Sequence, residues 1–490
     1  MARPILSLIA AFFIGLMSSA QTQTPKSSNQ KFSAETVKNT IDELQKELSE
    51  KHPGFYRYTA KTQFTSYIDS IKKTIRDSLT IFESFQKLKP IVAKINCLHT
   101  GISLPKAYLD QLNMRPNLFP FQLSFSEGKA YVVKNFSGNS GILPGDEIVR
   151  INGKSIPEIT ALLFALIPSD GYNQTLKWRA LNLQFPSWYR NIDLSENFSI
   201  LVNQNNIEKT YRTAGARFDD IAKDGFLEEP ARSKQLEFKI ENNVAFLTIH
   251  SFAKTDIKNS NQDFKKFIDQ AFDEIKSRSI QNLIVDLRDN TGGSDSNAEY
   301  FTSHFFDQPF RYWDRIEVTE TVAQEIKGLS LKLFYRKPVE KNGIWLWQKA
   351  KHTSEFDYYE MQKPAKNNYG GKTYILINGF CMSSCADVAA ILSHNRKAAF
   401  IGQETGGGYQ GNNSGMLPVS LVQPFGFALT VPLQKYTNAV DSSVNFGHGT
   451  MPDYKTEPNS NNVLNNIDTE MQTALDLIFS AESAQHGLRN

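Results

Sequence analysis

Hydrophobic positions recur at two spacings along this chain, and the changes between them divide it. From Ala34 to Glu50 apolar residues fall on one helical face between charged ones, and His52-Pro53 ends the run. Phe64 to Ile75 and Ile81 to Ile95 read as two further helices. From Phe119 the spacing becomes alternating, as in Lys129 to Val133. Later, the apolar runs Asn243 to His250 and Asn282 to Arg288 are separated by the amphipathic helix Asn261 to Ser277, and Asn297 to Phe306 continues as a helix. Strand–helix–strand repeats of this kind predict an α/β layer on a mainly parallel sheet. The strand Ala398 to Gly402, a β-rich stretch from Gly415 to Tyr436 and an amphipathic helix from Asp468 to Ala481 follow.

The most informative stretch is Tyr374 to Leu392. It begins as an apolar run with β-propensity, breaks at Gly379, and resumes with small and apolar residues at helical spacing. That predicts a strand, a tight turn carrying Ser383 and Ser384, and a buried helix. A helix start offers unpaired backbone N–H groups and a partial positive charge, so a serine there suits nucleophilic catalysis. An ordinary N-cap at Ser383 is the competing reading. Asp289 to Gly293 forms a glycine turn at a strand end, where backbone amides suit an oxyanion. Nucleotide binding, the rival use of such a turn, lacks its glycine-rich signatures.

Composition narrows the picture. A net charge of +3 over 490 residues, with no basic block, argues against nucleic acid as a partner. Three cysteines are too few for a disulfide scaffold, and no Cys/His cluster has metal-ligand spacing, so no metal is expected. Met1 to Ala20 reads as a signal peptide, with Arg3, an apolar core and Ser18-Ser19-Ala20 before the cut. No other run is long and apolar enough for a transmembrane helix, so a periplasmic or secreted protein is expected.

Gly141 to Lys154 combines a Pro-Gly-Asp turn, an apolar strand and an Asn-Gly hairpin turn. This resembles the signature of PDZ domains, placing a PDZ-like domain at 118–205. Such domains bind peptides by strand addition; a rigid spacer is the alternative. Residues 308–370 interrupt the α/β pattern with aromatics, among them Phe310, Tyr312, Trp313, Phe334, Tyr335, Trp345, Trp347, Phe356, Tyr358 and Tyr359. They read as an insertion that either lines a cleft or packs as an ordinary excursion.

Several segments together resemble the C-terminal processing (tail-specific) serine peptidases, in their Bacteroidota-type branch related to the tricorn core. They are CLHTG (97–101), VDLRDNTGG (285–293), CMSSCADVAAIL (381–392), IGQETGGGYQGNNSG (401–415) and GHGTMPDY (447–454), with the PDZ signature. The resemblance implies an α/β multidomain fold: a helical cap at 21–117, the PDZ-like β-rich domain, and a ClpP/crotonase-like protease domain at 206–490. It implies a serine endopeptidase acting on proteins or peptides without a cofactor. Ser384 is the implied nucleophile, with Ser383 in reserve and Asp387 at the acidic end of the motif. The amides of Cys385 and of Gly292 or Gly293 would hold the oxyanion.

One branch of the family uses a lysine base, but Thr405 to Asn413 contains none and the position falls near Tyr409. The tricorn-like branch uses a histidine upstream of the PDZ-like domain, which here is His99. Glu404 is a candidate to orient it, and His448 is the rival base. If His99 reaches the serine turn, Cys97 comes near Cys381 or Cys385, and a bridge, preferably to Cys381, is expected. A catalytically silent binding protein on the same fold is the alternative function; a PDZ-type scaffold ranks last.

Overall fold

The computed structural model describes residues 30–224, 226–227, 232–325, 336–348 and 360–487. The leader at 1–20 and Phe334, Tyr335, Phe356, Tyr358 and Tyr359 lie outside the described residues. No helix among the described residues is long and apolar enough to cross a membrane.

The α/β layer is built on a sheet in the order Leu236–Glu241, Val244–Ile249, Asn282–Asp286, Lys372–Ile377, Ala399–Gly402, Tyr454–Lys455. The first pairing is antiparallel and the other four are parallel. Val285 sits opposite Ile375, and Ile375 opposite Phe400. The central strands carry apolar residues toward both faces because helices cover both. On one face Phe264–Ser277, Asp295–Ser303 and Ser384–His394 enclose Leu283, Val285, Ile375 and Ile377. On the other, Ala474 and Ile478 of the closing helix Thr469–Gly487 pack on Ile284, Leu376 and Ile401.

The expected helices near the N-terminus form at Ala34–Lys51, Lys61–Lys73 and Ile81–Ala93. Ser33 accepts from the Thr36 N–H at the first of these, and Thr80 and Glu83 form a reciprocal capping box at the third. Their core is not self-contained. Val422, Phe425, Phe427 and Leu429, from more than three hundred residues later, belong to the same buried cluster. The strand Gly101–Ser103 pairs with Phe427–Thr430, joining the two parts through the backbone as well.

Residues 121–214 form a second sheet, in the order Phe121–Ser126, Lys129–Asn135, Glu147–Ile151, Asn197–Gln204, Ile207–Ala214. It runs past residue 205, because Ile207–Ala214 completes a hairpin with Asn197–Gln204. Helices Ile156–Phe164 and Thr175–Tyr189 cover it.

The described part of the aromatic insertion packs into structure rather than standing over a cleft. Trp313–Val318 pairs with Gln434–Asn438, and Tyr312, Trp313 and Trp347 are buried in the main core. Stacking large apolar rings against a sheet face removes more area from water than lining a solvent-filled groove.

Candidate active site

Three parts of the chain meet at the turn after Lys372–Ile377. Asn378 caps the strand end, its Oδ1 accepting the N–H groups of Asp289 (3.1 Å) and Phe380 (3.0 Å). Phe380 and Met382 then bury their side chains in the core of the second sheet. Arg179, on that sheet's covering helix, donates from Nε and Nη2 to Asp289 at 2.8 and 2.6 Å. A bidentate guanidinium–carboxylate pair fixes orientation as well as distance, so the second sheet holds both the serine turn and the glycine turn.

Ser383 has φ 51° and ψ −131°, a left-handed conformation rare for a residue with a side chain. Such strain costs on the order of 1–3 kcal/mol and persists where surrounding structure imposes it. Here Gly292 imposes it: a Cβ on Gly292 would lie 2.8 Å from Ser383 Cβ and 3.0 Å from Ser384 N. Gly407 closes the other side, where a Cβ would meet Ala386 Cβ at 2.5 Å. The helix Ser384–His394 starts directly after the strained residue, whose side chain makes no capping bond to it.

Ser383 Oγ lies 3.2 Å from His99 Nε2. His99 arrives on the segment that leads into the strand Gly101–Ser103, so the pairing with Phe427–Thr430 sets its position. The backbone carbonyl of Asn413 lies beside the imidazole and favours its protonated form. In the tautomer that carries its proton on Nδ1, the Nε2 lone pair faces the hydroxyl. Burial is the larger influence on the ring and the Asn413 carbonyl opposes it, the result being a pKa of about 4. The imidazole is therefore neutral at physiological pH.

The structure departs from several sequence expectations at this site. The serine that faces His99 is Ser383. Ser384 is 1% exposed, and its Oγ has no hydrogen-bond partner. A helix turns by about 100° per residue, so neighbouring residues at its start cannot face the same group. The Cys385 N–H is taken by the Met382 carbonyl at 3.0 Å, and the Gly292 N–H by Asn290 Oδ1 at 2.9 Å. Among the described residues the N–H groups of Ser384 and Gly293 have no acceptor, and Gly292, next to Gly293, packs against Ser383 and Ser384.

Glu404 does not reach His99. Its Oε1 accepts from the Gly449 N–H at 2.8 Å and sits 3.2 Å from His448 Nδ1. The expected bridge is also absent: Cys97, Cys381 and Cys385 are buried free thiols. Cys97 Sγ points to the Asn413 carbonyl at 3.8 Å, and Cys385 to that of Leu287 at 3.8 Å. Burial pushes the Cys97 thiol up to about 12. Both thiols serve as small apolar residues.

Sequence reasoning missed the supports. His52 Nδ1 accepts from the Gly54 N–H, so Nε2 carries the proton and donates to Thr100 Oγ1 at 2.9 Å, beside His99. Burial pushes His52 down to about 3. Asp170 receives the N–H groups of Leu98 (3.0 Å) and Gly408 (3.3 Å), tying the histidine segment to the glycine run. Asn412 donates to Asp387 at 3.2 Å, as does Asn438 at 3.0 Å, and the nearby Trp313 side chain also favours its charged form. Burial nonetheless pushes Asp387 up to about 7. Because Asn412 precedes Asn413, this buried carboxyl anchors the strand that presents the carbonyl to His99. Of these, only Asp387 had a visible sequence signal, as the acidic end of CMSSCADVAAIL.

The sequence profile of peptidase family S41 matches residues 243–456, the stretch that holds both turns and the nucleophile helix. The chain carries a peptidase family S41 domain. It is thus a serine-type peptidase by family. Among solved structures, mature CPAF complexed with lactacystin superposes with a TM-score of 0.62 at 14% identity, over 91% of this chain and 97% of that one. Mature CPAF gives 0.57 at 14% identity, over 89% of this chain and 99% of that one. That likeness is one of fold, and it extends beyond the S41 domain to the cap and the second sheet. A sequence comparison with curated proteins returns no significant match.

Proposed function

We propose that this protein is an exported serine endopeptidase of the C-terminal processing type, with Ser383 as nucleophile and His99 as base. The observation that carries the reading is the 3.2 Å contact between Ser383 Oγ and His99 Nε2 at a strained helix start. Ser383 Oγ attacks the scissile carbonyl carbon while its proton passes to His99 Nε2. The oxyanion develops against the N–H groups of Ser384 and Gly293. His99 then returns the proton to the leaving amine, and the C–N bond breaks to leave an acyl-enzyme. Water, deprotonated by His99, attacks the acyl-enzyme and releases the acid.

The Asn413 carbonyl takes the orienting place that a carboxylate holds in a Ser-His-Asp triad. It favours a proton on the ring without adding a negative charge. The sheet at 121–214, with its Pro-Gly-Asp turn and Asn-Gly hairpin, fits a PDZ-like module that presents substrate termini. The leader at 1–20 supports export.

A fluorophosphonate probe tests the reading. Wild type and Ser384→Ala label, and Ser383→Ala does not. Labelling that survives Ser383→Ala and disappears in Ser384→Ala returns the nucleophile to Ser384. The second reading, a silent binding protein, is favoured by the burial of the pair, Ser383 at 7% and His99 at 6% exposed. It predicts no labelling of any form.

A further inference from the structure

Two cavities open beside the segment that carries His99. One, of about 560 Å³, is lined by Tyr58, Tyr67 and Lys94 together with Asn96 and Tyr172. The other, of about 380 Å³, is lined by Phe164 and Lys177, and again by Asn96 and Tyr172. The shared residues make them two lobes of one cleft. Asn96 lies three residues before His99, so the cleft wall is at most roughly 10 Å of chain from the base.

Every charged residue lining the cleft is a lysine. Lys177 Nζ donates to the Phe164 carbonyl at 2.8 Å, and Lys94 Nζ lies 5.9 Å from the Tyr67 ring centroid. Among the described residues neither ammonium has a carboxylate partner. Burial first, and then the charge of Lys94, lowers Lys177 to about 8. The adjacent carboxylate in sequence, Asp170, turns inward to the Leu98 and Gly408 amides and does not offset them. Two cations lining adjoining cavities without a counter-charge disfavour each other, and an anion between them relieves that cost. The flanking rings of Tyr58, Tyr67 and Tyr172 offer apolar walls with polar tips, suited to a peptide.

We propose that this cleft is a subsite for a carboxylate of the peptide substrate, held between Lys94 and Lys177. The carboxylate comes from an acidic side chain or from a free C-terminus of the peptide. This deepens the peptidase reading and rests on it.

The test measures binding rather than turnover. Full-length Ser383→Ala protein is titrated against four fluorescent peptides that differ only in Glu or Gln at one position and in a free or amidated C-terminus. A carboxylate peptide binds about tenfold or more tightly than its amide counterpart, the usual scale for a charge-assisted hydrogen bond. The ratio falls towards one when Lys94→Gln and Lys177→Gln are added, and it shrinks as ionic strength rises in the protein that keeps both lysines. Discrimination in the Glu/Gln pair assigns an acidic side chain; discrimination in the terminal pair assigns the C-terminus. Equal binding of all four peptides overturns the proposal. So does a ratio that ignores salt, or one that persists without the lysines. Discrimination in a protein whose wild type takes no fluorophosphonate would sink the catalytic reading and leave the subsite standing.

Discussion

His99 and His448 each lie in a short glycine-bearing segment, and their surroundings are opposite. His448 has the partner that sequence reasoning looks for in a catalytic histidine, a carboxylate at 3.2 Å. Yet its side chain is 40% exposed and no serine hydroxyl is bonded to it. His99 is instead buried against Ser383, with the Asn413 carbonyl beside its ring. The difference teaches that a base is made by where its lone pair points.

The largest expected effect separates the two histidines directly. His99→Ala lowers kcat/KM by about 10³-fold or more, the range of a lost general base. His448→Ala lowers it less than about tenfold, since only an exposed ion pair is lost. Measured on one peptide substrate, the reverse order would transfer the base to His448.

A second experiment asks whether the buried carboxyl behind Asn413 holds the His99 tautomer. Asp387→Ala takes the carboxylate acceptor from two amide donors and costs about 1–3 kcal/mol in denaturant unfolding. It also lowers kcat by roughly 10- to 100-fold with KM little changed, as expected when a reacting group shifts slightly. A drop in stability with kcat untouched would make Asp387 purely structural.

The pH profile sharpens the comparison further. The folded pKa of His99 is about 4, against 6.5 for an ordinary histidine. Its neutral, competent form therefore persists below pH 6, and the acid limb of kcat/KM has its midpoint well under 6.5. An acid limb at 6.5 or above would point to an exposed histidine instead. Stability follows the same sign. Between pH 6.5 and 4 the unfolded chain binds a proton at this position that the folded chain refuses, so the contribution of His99 is full above 6.5 and lost as pH falls. His52, lowered to about 3, acts in the same sense. Asp387 and Asp170, raised to about 7 and about 6, act oppositely and lose stability as pH rises from their ordinary 3.8. The difference between wild type and His99→Gln isolates the histidine.

The smallest effect concerns the thiols near the His99 segment and the serine turn. Denatured, non-reduced protein titrates three free thiols, and oxidant-free handling leaves activity unchanged. A count of one would restore the bridge and require the His99 segment to sit differently.

Much of this architecture was legible in the chain. The run Tyr374 to Leu392 declared a strand, a turn and a buried helix, and Asn282 to Gly293 declared a strand ending in a glycine turn. Both patterns are local: alternation, helical spacing and glycine constrain the backbone within a few residues. His99 also stood out, as the histidine of CLHTG upstream of the second sheet. What stayed hidden depended on contacts between distant segments. Ser383 or Ser384 is a choice of about 100° around a helix start, made by Gly292 pressing from another turn. The Asn413 carbonyl has no side-chain signature, because every residue possesses one. Glu404 was a plausible orienter until the fold gave it to His448. The free thiols follow from where Cys97 and Cys385 point once buried. Sequence alone determined the elements and the stretches that meet; only the tertiary structure decided which atoms face each other, since facing is set by packing across hundreds of residues.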